Sequence, residues 1–272
     1  MTSQTQKAEA FADLHRSGTF VLLNAWDAGS AKMMARHGAV ALGTTSAGVA
    51  WMGGMRDGAL DREAVLANAK AIATATSLPV TVDLMDGFGP SPDDAAAAVR
   101  AAHEAGCVGG SIEDTTGDPD KPLYDLGLAA EKVAAAVEAA RGLPNPFVLC
   151  ARADALFAGI DDLDDVIARL RRFEQEGADL LYAPKLRTTD QIGRVLDAVG
   201  KPINVLCGIG QQFDIEDMRS MGVRRISLGS SLFGAAMGSV DRAMRELLGS
   251  GTFEWSLGNL PYARLQDVMN DT

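Results

Sequence analysis

The chain is expected to fold as a single α/β domain, a TIM-type (β/α)8 barrel with an additional C-terminal helical tail, and three features of its 272 residues predict this. Eight short β-branched or apolar runs alternate with longer stretches of helical periodicity, the pattern of βαβ units around a parallel sheet. The runs recur about every 30 residues, as eight units in about 250 residues require. Polar and charged residues gather just after the runs, where a barrel of this kind builds its active site.

The segment before Phe20 reads as a helix capping the barrel. The strand runs are then Phe20 to Asn24, Val40 to Ser46, Val80 to Leu84, Val108 to Glu113, Phe147 to Arg152, Leu180 to Pro184, Ile203 to Cys207 and Arg225 to Leu228. Between them, stretches such as DDAAAAVRAAHEAG, LAAEKVAAAVEAARG and LDDVIARLRRFEQEG repeat apolar residues at three and four spacing and close on Gly, so one face of each packs on the barrel. No Pro-, Ser- or charge-rich linker divides the chain, and residues 1–272 are read as one domain. Residues 250–272 carry Trp255, Leu257, Leu260 and Tyr262 without a core of their own. This tail is expected to dock on its own barrel or on a neighbouring subunit, in a homodimer or homotetramer.

A formal net charge of −11 argues against nucleic acid and anionic membrane surfaces as partners, since both need clustered Lys and Arg. The opening MTSQTQKAEAFADLHRSG has no apolar signal core, and no run reaches the ~18 apolar residues of a membrane span, so a cytoplasmic protein is expected. Cys107, Cys150 and Cys207 form no CxxC pair and read as buried, reduced thiols. His15, His37 and His103 all fall in helical stretches, which removes support for structural Zn²⁺ and for a His-activated nucleophile.

The residues at the strand ends carry the functional reading. They are Asn24, Trp26 and Asp27, then Thr44, Thr45 and Ser46 with Asp57 in the following loop, then Asp83 and Asp86, Glu113 and Asp114, Arg152 and Asp154, and Lys185. Asp57, Asp83 and Glu113 should converge at the barrel mouth, where uncompensated carboxylates repel and their pKa values rise. A hard divalent cation resolves that conflict, and Mg²⁺ suits one or two direct carboxylates plus waters. The competing explanation is helix capping by Asp. Arg152 stands in the otherwise apolar VLCARAD run, either to clamp a substrate carboxylate or to pair with Asp154 or Glu113. Lys185 is open to a Schiff-base reading, and CGIGQQ and SLGSSLFG to phosphate cradling.

In order along the chain, NAWDAGSAKMM, TTSAGVAWMGGMRDG, PVTVDLMDGFG, GGSIED, ARADA, EGADLLYAP and GVRRISLGSS resemble the isocitrate lyase/phosphoenolpyruvate mutase superfamily. The resemblance implies a modified (β/α)8 barrel whose C-terminal helix is exchanged between subunits. It also implies Mg²⁺-dependent making or breaking of C–C or P–C bonds through the enolate of a small anionic 2-oxo or 2-hydroxy acid. By position, Trp26, Ser46, Ala47 and Gly48 would line the substrate site, and Asp57, Asp83 and Glu113 would hold Mg²⁺ directly or through water. Arg152 would bind the substrate carboxylate, with Asp57, Arg152 and Glu113 taking part in catalysis. Where the family pattern has a second acid, this chain has Met85, so Asp86 is expected to substitute or metal affinity to fall. The loop DTTGDPDKPLYD lacks the Lys-Cys-Gly-His motif of isocitrate lyases, which excludes a true isocitrate lyase and leaves Lys121 a gating role. A barrel with a degraded site that only binds a metabolite is the competing reading.

Overall fold

The computed structural model describes residues 2–208, 210–211 and 213–270. Helix α1 (Gln4–Leu14) precedes eight parallel strands: β1 (Phe20–Asn24), β2 (Leu42–Gly43), β3 (Val80–Asp83), β4 (Gly109–Glu113), β5 (Val148–Arg152), β6 (Leu180–Tyr182), β7 (Ile203–Leu206) and β8 (Arg225–Ser227). Each pairs with its sequence neighbours, and β8 closes the barrel on β1 with Phe20 beside Arg225 and Leu22 beside Ser227. Around them run α2 (Ala28–Arg36), α3 (Ser46–Met52), α4 (Arg62–Ala75), α5 (Pro92–Glu104), α6 (Leu126–Arg141), α7 (Leu163–Gln175), α8 (Thr189–Ala198), α9 (Ile215–Ser220) and α10 (Ser231–Gly249). A 3-10 turn (Glu254–Gly258) and α11 (Tyr262–Asn270) follow.

Every predicted strand run contains a strand, and the largest difference is at Val40 to Ser46, of which only Leu42–Gly43 is strand. Thr45 ends it early. Its hydroxyl accepts the Gly48 N–H at 3.3 Å and caps α3, so the chain turns into helix at Ser46. A Cβ on Gly48 would lie 2.6 Å from the Thr45 methyl, so this turn needs glycine.

The two ends of the barrel are chemically distinct. At the N-terminal end α1 seats Ala8 and Phe11 against Phe20, Val108, Val148 and Leu180, as the predicted cap. A Cβ at Gly109 would come within 2.8 Å of the Phe11 ring, so the glycine lets the cap sit flush. Burial of Phe11 contributes about 1.5–3 kcal/mol. The C-terminal end is polar and open. Outside, Ala95, Ala98 and Ala102 of α5 and Ala129, Ala136 and Ala140 of α6 present small side chains that let these helices lie close to the sheet.

The tail returns to its own barrel. Helix α11 lies against α2, where Lys32 Nζ donates to the Met269 carbonyl at 2.6 Å. Leu248, Phe253, Leu257 and Tyr262 nevertheless stay exposed. Among the described residues no helix is long and apolar enough to cross a membrane.

Candidate active site

A cavity of about 140 Å³ opens at the C-terminal ends of the strands and runs down into the barrel. Ser46, Ala47, Asp57, Asp83 and Arg152 all line it. With Asn24, Thr44 and Thr45, which also line it, the structure brings together eight of the positions singled out from sequence, from β1, β3, β5, the turn between β2 and α3, the start of α3 and the loop after it.

Arg152, at the end of β5, organises the acids. Its Nε donates to Asp154 at 2.7 Å, and its Nη1 lies 2.9 Å from Glu113 and 3.9 Å from Asp83. Tyr182 and Phe157 put their rings 5.3 and 5.4 Å from the guanidinium carbon. Burial disfavours its charge, yet Asp154, Glu113, Tyr182 and Asp83 together hold its pKa well above the ordinary value. The ion-pair reading of Arg152 is thus the one the structure shows, and the same side chain also lines the cavity.

The acids differ among themselves. Burial pushes Glu113 up to about 8 against the pull of Arg152, and Thr115 donates to its Oε1 at 2.5 Å. Asp154 is fully buried and pushed up to about 6 by burial, with Oδ2 lacking a partner. Asp57 is raised by burial and by Asp83, while Ser46 and the Gly58 N–H favour its charged form. Asp83 accepts the Met85 N–H at 3.3 Å and the Ser111 hydroxyl at 3.4 Å.

Other predicted residues are placed elsewhere. Asp86 turns away from the cavity: its carboxylate accepts the Phe88 N–H and the Tyr124 hydroxyl, both at 2.9 Å, and lies 3.7 Å from the buried Lys132 ammonium. Met85 adopts a left-handed φ of 52°, which ends β3 and separates Asp83 from Asp86. Trp26 packs edge-on against Phe233 at 5.5 Å, beside α2 and outside the cavity lining. The Gly48 amide is occupied by Thr45, and Asp27 caps α2 through the Ser30 N–H at 2.6 Å. Asp114 accepts the Asp154 N–H and pairs with Arg169 at 3.0 Å, tying β4 to β5 and α7.

Lys185 also lies outside the cavity lining, over the Phe157 ring with Nζ 3.2 Å from the Phe157 carbonyl. In SLGSSLFG the Leu228 and Gly229 amides donate to Asn24 Oδ1 at 2.9 and 3.0 Å, so they are not free to cradle a phosphate. In CGIGQQ, Ile209 and Gln212 lie outside the described residues. Lys121 pairs with Asp125 at 3.0 Å on the exposed loop after β4, which folds back through a Thr115–Leu123 bridge.

For a divalent cation, Asp57 and Asp83 supply two hard oxygen donors on one cavity, each facing the other's charge. Among the described residues no three Asp, Glu, His or Cys side chains converge in ligand geometry. Two carboxylates with the balance of ligands from water is a set Mg²⁺ accepts, so the residues fit it.

Sequence reading missed Tyr182, Phe157, Asn204 and Arg225, which all line the cavity. For Arg225 and Asn204 the signal was strand alternation, since inward positions of an apolar strand rarely carry polar side chains.

The profile of the phosphoenolpyruvate phosphomutase family matches residues 11–248. The chain belongs to that family. A candidate lyase/mutase from Burkholderia cenocepacia J2315 has a crystal structure that superposes with a TM-score of 0.96 at 43% identity, over 98% of this chain and 96% of that one. The 2-methylisocitrate lyase of Escherichia coli K12 is 30% identical over 69% of this chain and 65% of its own length. Phosphonopyruvate hydrolase, crystallised with oxalate and Mg²⁺, shares the fold at a TM-score of 0.85 and 23% identity, over 99% of this chain and 95% of that one. The family assignment agrees with the superfamily resemblance read from the strand-end motifs, and the closed eight-stranded barrel with the predicted fold.

Proposed function

We propose that this member of the phosphoenolpyruvate phosphomutase family is a Mg²⁺-dependent lyase or mutase-like enzyme acting on a small 2-oxo or 2-hydroxy acid through its enolate. One observation carries the reading: Asp57 and Asp83 face the same cavity as the guanidinium of Arg152. Such a site places positive charge and proton-transfer groups around one small anion.

Arg152 has Nε and Nη1 committed to carboxylates, so its Nη2 edge is the one offered to a substrate carboxylate. Ser46 and Ala47 begin α3 with backbone amides that the helix itself does not use, suited to carboxylate or enolate oxygens. Asp57, its pKa raised by burial, is suited to hold or release a proton at the substrate carbon. Mg²⁺ held by Asp83, with Asp57 and Glu113 meeting it only through water so that Asp57 stays free for proton transfer, would add positive charge to stabilise the enolate oxygen. The Lys185 aldolase reading has no support from geometry, because that ammonium lies outside the cavity lining.

The test is calorimetric titration of oxalate, an enolate mimic, with Mg²⁺ and again with EDTA. Binding only with Mg²⁺ is expected. No binding in either condition would remove the reading and favour a barrel whose site Met85 has disabled. The exposed Leu248, Phe253, Leu257 and Tyr262 support a homo-oligomer built through the tail, and a monomeric mass by light scattering would overturn that.

A further inference from the structure

The barrel interior below the mouth is unusual. Small barrels fill this space with bulky branched side chains, but here Thr81, Asn204, Arg225 and Ser227 line the lower part of the cavity. Arg225 is 4% exposed. Its Nε donates to Asn204 Oδ1 at 2.9 Å and its Nη2 contacts Cys150 Sγ at 3.3 Å, while its Nη1 is buried without a partner. Asn204 is itself fixed by donating to Ser227 Oγ at 2.8 Å.

No carboxylate pairs with Arg225 among the described residues. The groups that favour its charge are Cys150 and Tyr182, and burial outweighs them, lowering its pKa. Burial pushes the Cys150 thiol up, so it stays neutral and accepts only weakly. His15, on the capped side of the barrel, is held down to about 3 by burial and then by Arg225, so it too is neutral. A guanidinium remains positive at any physiological pH, and a buried charge without a partner is costly. Water alone leaves that charge uncompensated, whereas an anion entering through the same cavity cancels it.

We propose that Arg225 and Asn204 form an anion-binding floor that takes the distal carboxylate of an extended 2-oxo or 2-hydroxy diacid, whose 2-oxo end lies at Arg152 and Ser46. The inference rests on the enolate-site reading for the 2-oxo end only. It defines the substrate class as diacids over monoacids of equal length. A charge-assisted hydrogen bond in a buried site contributes roughly 1.5–3 kcal/mol, which corresponds to about 10- to 100-fold in affinity.

The test compares 2-oxoglutarate with 2-oxopentanoate, acids of equal chain length differing in the distal carboxylate, and uses oxalate as the probe of the mouth alone. Each is titrated with Mg²⁺ into the wild type, Arg225→Met and Arg225→Lys. The wild type should prefer the diacid about 10-fold or more, Arg225→Met should abolish the preference, and Arg225→Lys should keep part of it, with oxalate binding alike in all three. Equal affinity for the two five-carbon acids in the wild type overturns the floor site without need of any variant, and so does a preference that survives Arg225→Met. Oxalate binding without diacid preference removes the inference and keeps the proposed function. Diacid preference without oxalate binding does the reverse, and binding of neither removes both.

Discussion

Arg152 and Arg225 both line one cavity, yet the mouth and the floor treat their charges in opposite ways. At the mouth, Arg152 lies among Asp154, Glu113 and Asp83, with two aromatic rings on its faces. On the floor, Arg225 has an amide, a thiol and one empty donor. The mouth has more negative charge than one guanidinium neutralises, and the floor has positive charge with nothing to neutralise it. A surplus of acid invites a cation and a surplus of base invites an anion, so the unpaired groups at each level indicate what is to be bound there.

The contrast can be broken most sharply at Asp57. Asp57→Ala should lower turnover by about 10²- to 10⁴-fold, the usual contribution of a proton-transfer group, with little change in melting temperature because the residue sits on the cavity rim, shielded on the cavity side and in solvent on the other, outside the hydrophobic core. Retained turnover would show that the mouth acids are not the reactive part of the cavity.

The arginines themselves give the next effect. Arg152→Met leaves Asp154 and Glu113 buried without their cation and should destabilise the fold by about 3–5 kcal/mol in denaturant unfolding. Arg225→Met strands no counter-charge and leaves only the Asn204 oxygen short of a donor, so its cost should stay within about 1 kcal/mol. Equal costs for the two variants would refute the opposition drawn between mouth and floor.

A pH effect follows from Glu113. Its folded pKa is raised from 4.5 to about 8, so the folded state binds more protons than the unfolded state between those values. Stability from this group is fully present below 4.5 and is lost as pH rises through about 8. The melting temperature should therefore fall across that window, and the fall should be shallower in Glu113→Gln. An unchanged slope would mean that Arg152 keeps Glu113 ionised throughout. The smallest effect is expected at Tyr124→Phe, which removes the bond to Asp86 and should cost about 1 kcal/mol while loosening the segment between β3 and α5, read by hydrogen exchange.

The barrel was legible because its evidence is local. Each strand run and each amphipathic helix announces itself within a dozen residues, and only the exact ends shifted, as when Thr45 capped α3 and shortened β2. The mouth was legible because the fold fixes where strand ends meet, which brings Ser46, Asp57, Asp83 and Arg152 to one cavity, and the family resemblance added Ala47. Direction was harder to read. Trp26, Gly48 and Asp86 sit at the right height but face Phe233, Thr45 and Tyr124, because local turns and caps reoriented them.

The order and type of the elements and the places of Asp57 and Asp83 thus follow from sequence alone, since periodicity and strand-end position are properties of neighbouring residues, while the family is carried by the resemblance of the strand-end motifs. Which oxygen meets which nitrogen was decided only by closure of the barrel. Closure brought Arg225 of β8 beside Asn204 of β7 and Cys150 of β5, residues 21 and 75 positions away, and left one donor there without a partner. The paired or unpaired state of a charge depends on all the strands that surround it, and no single segment of the chain contains that information.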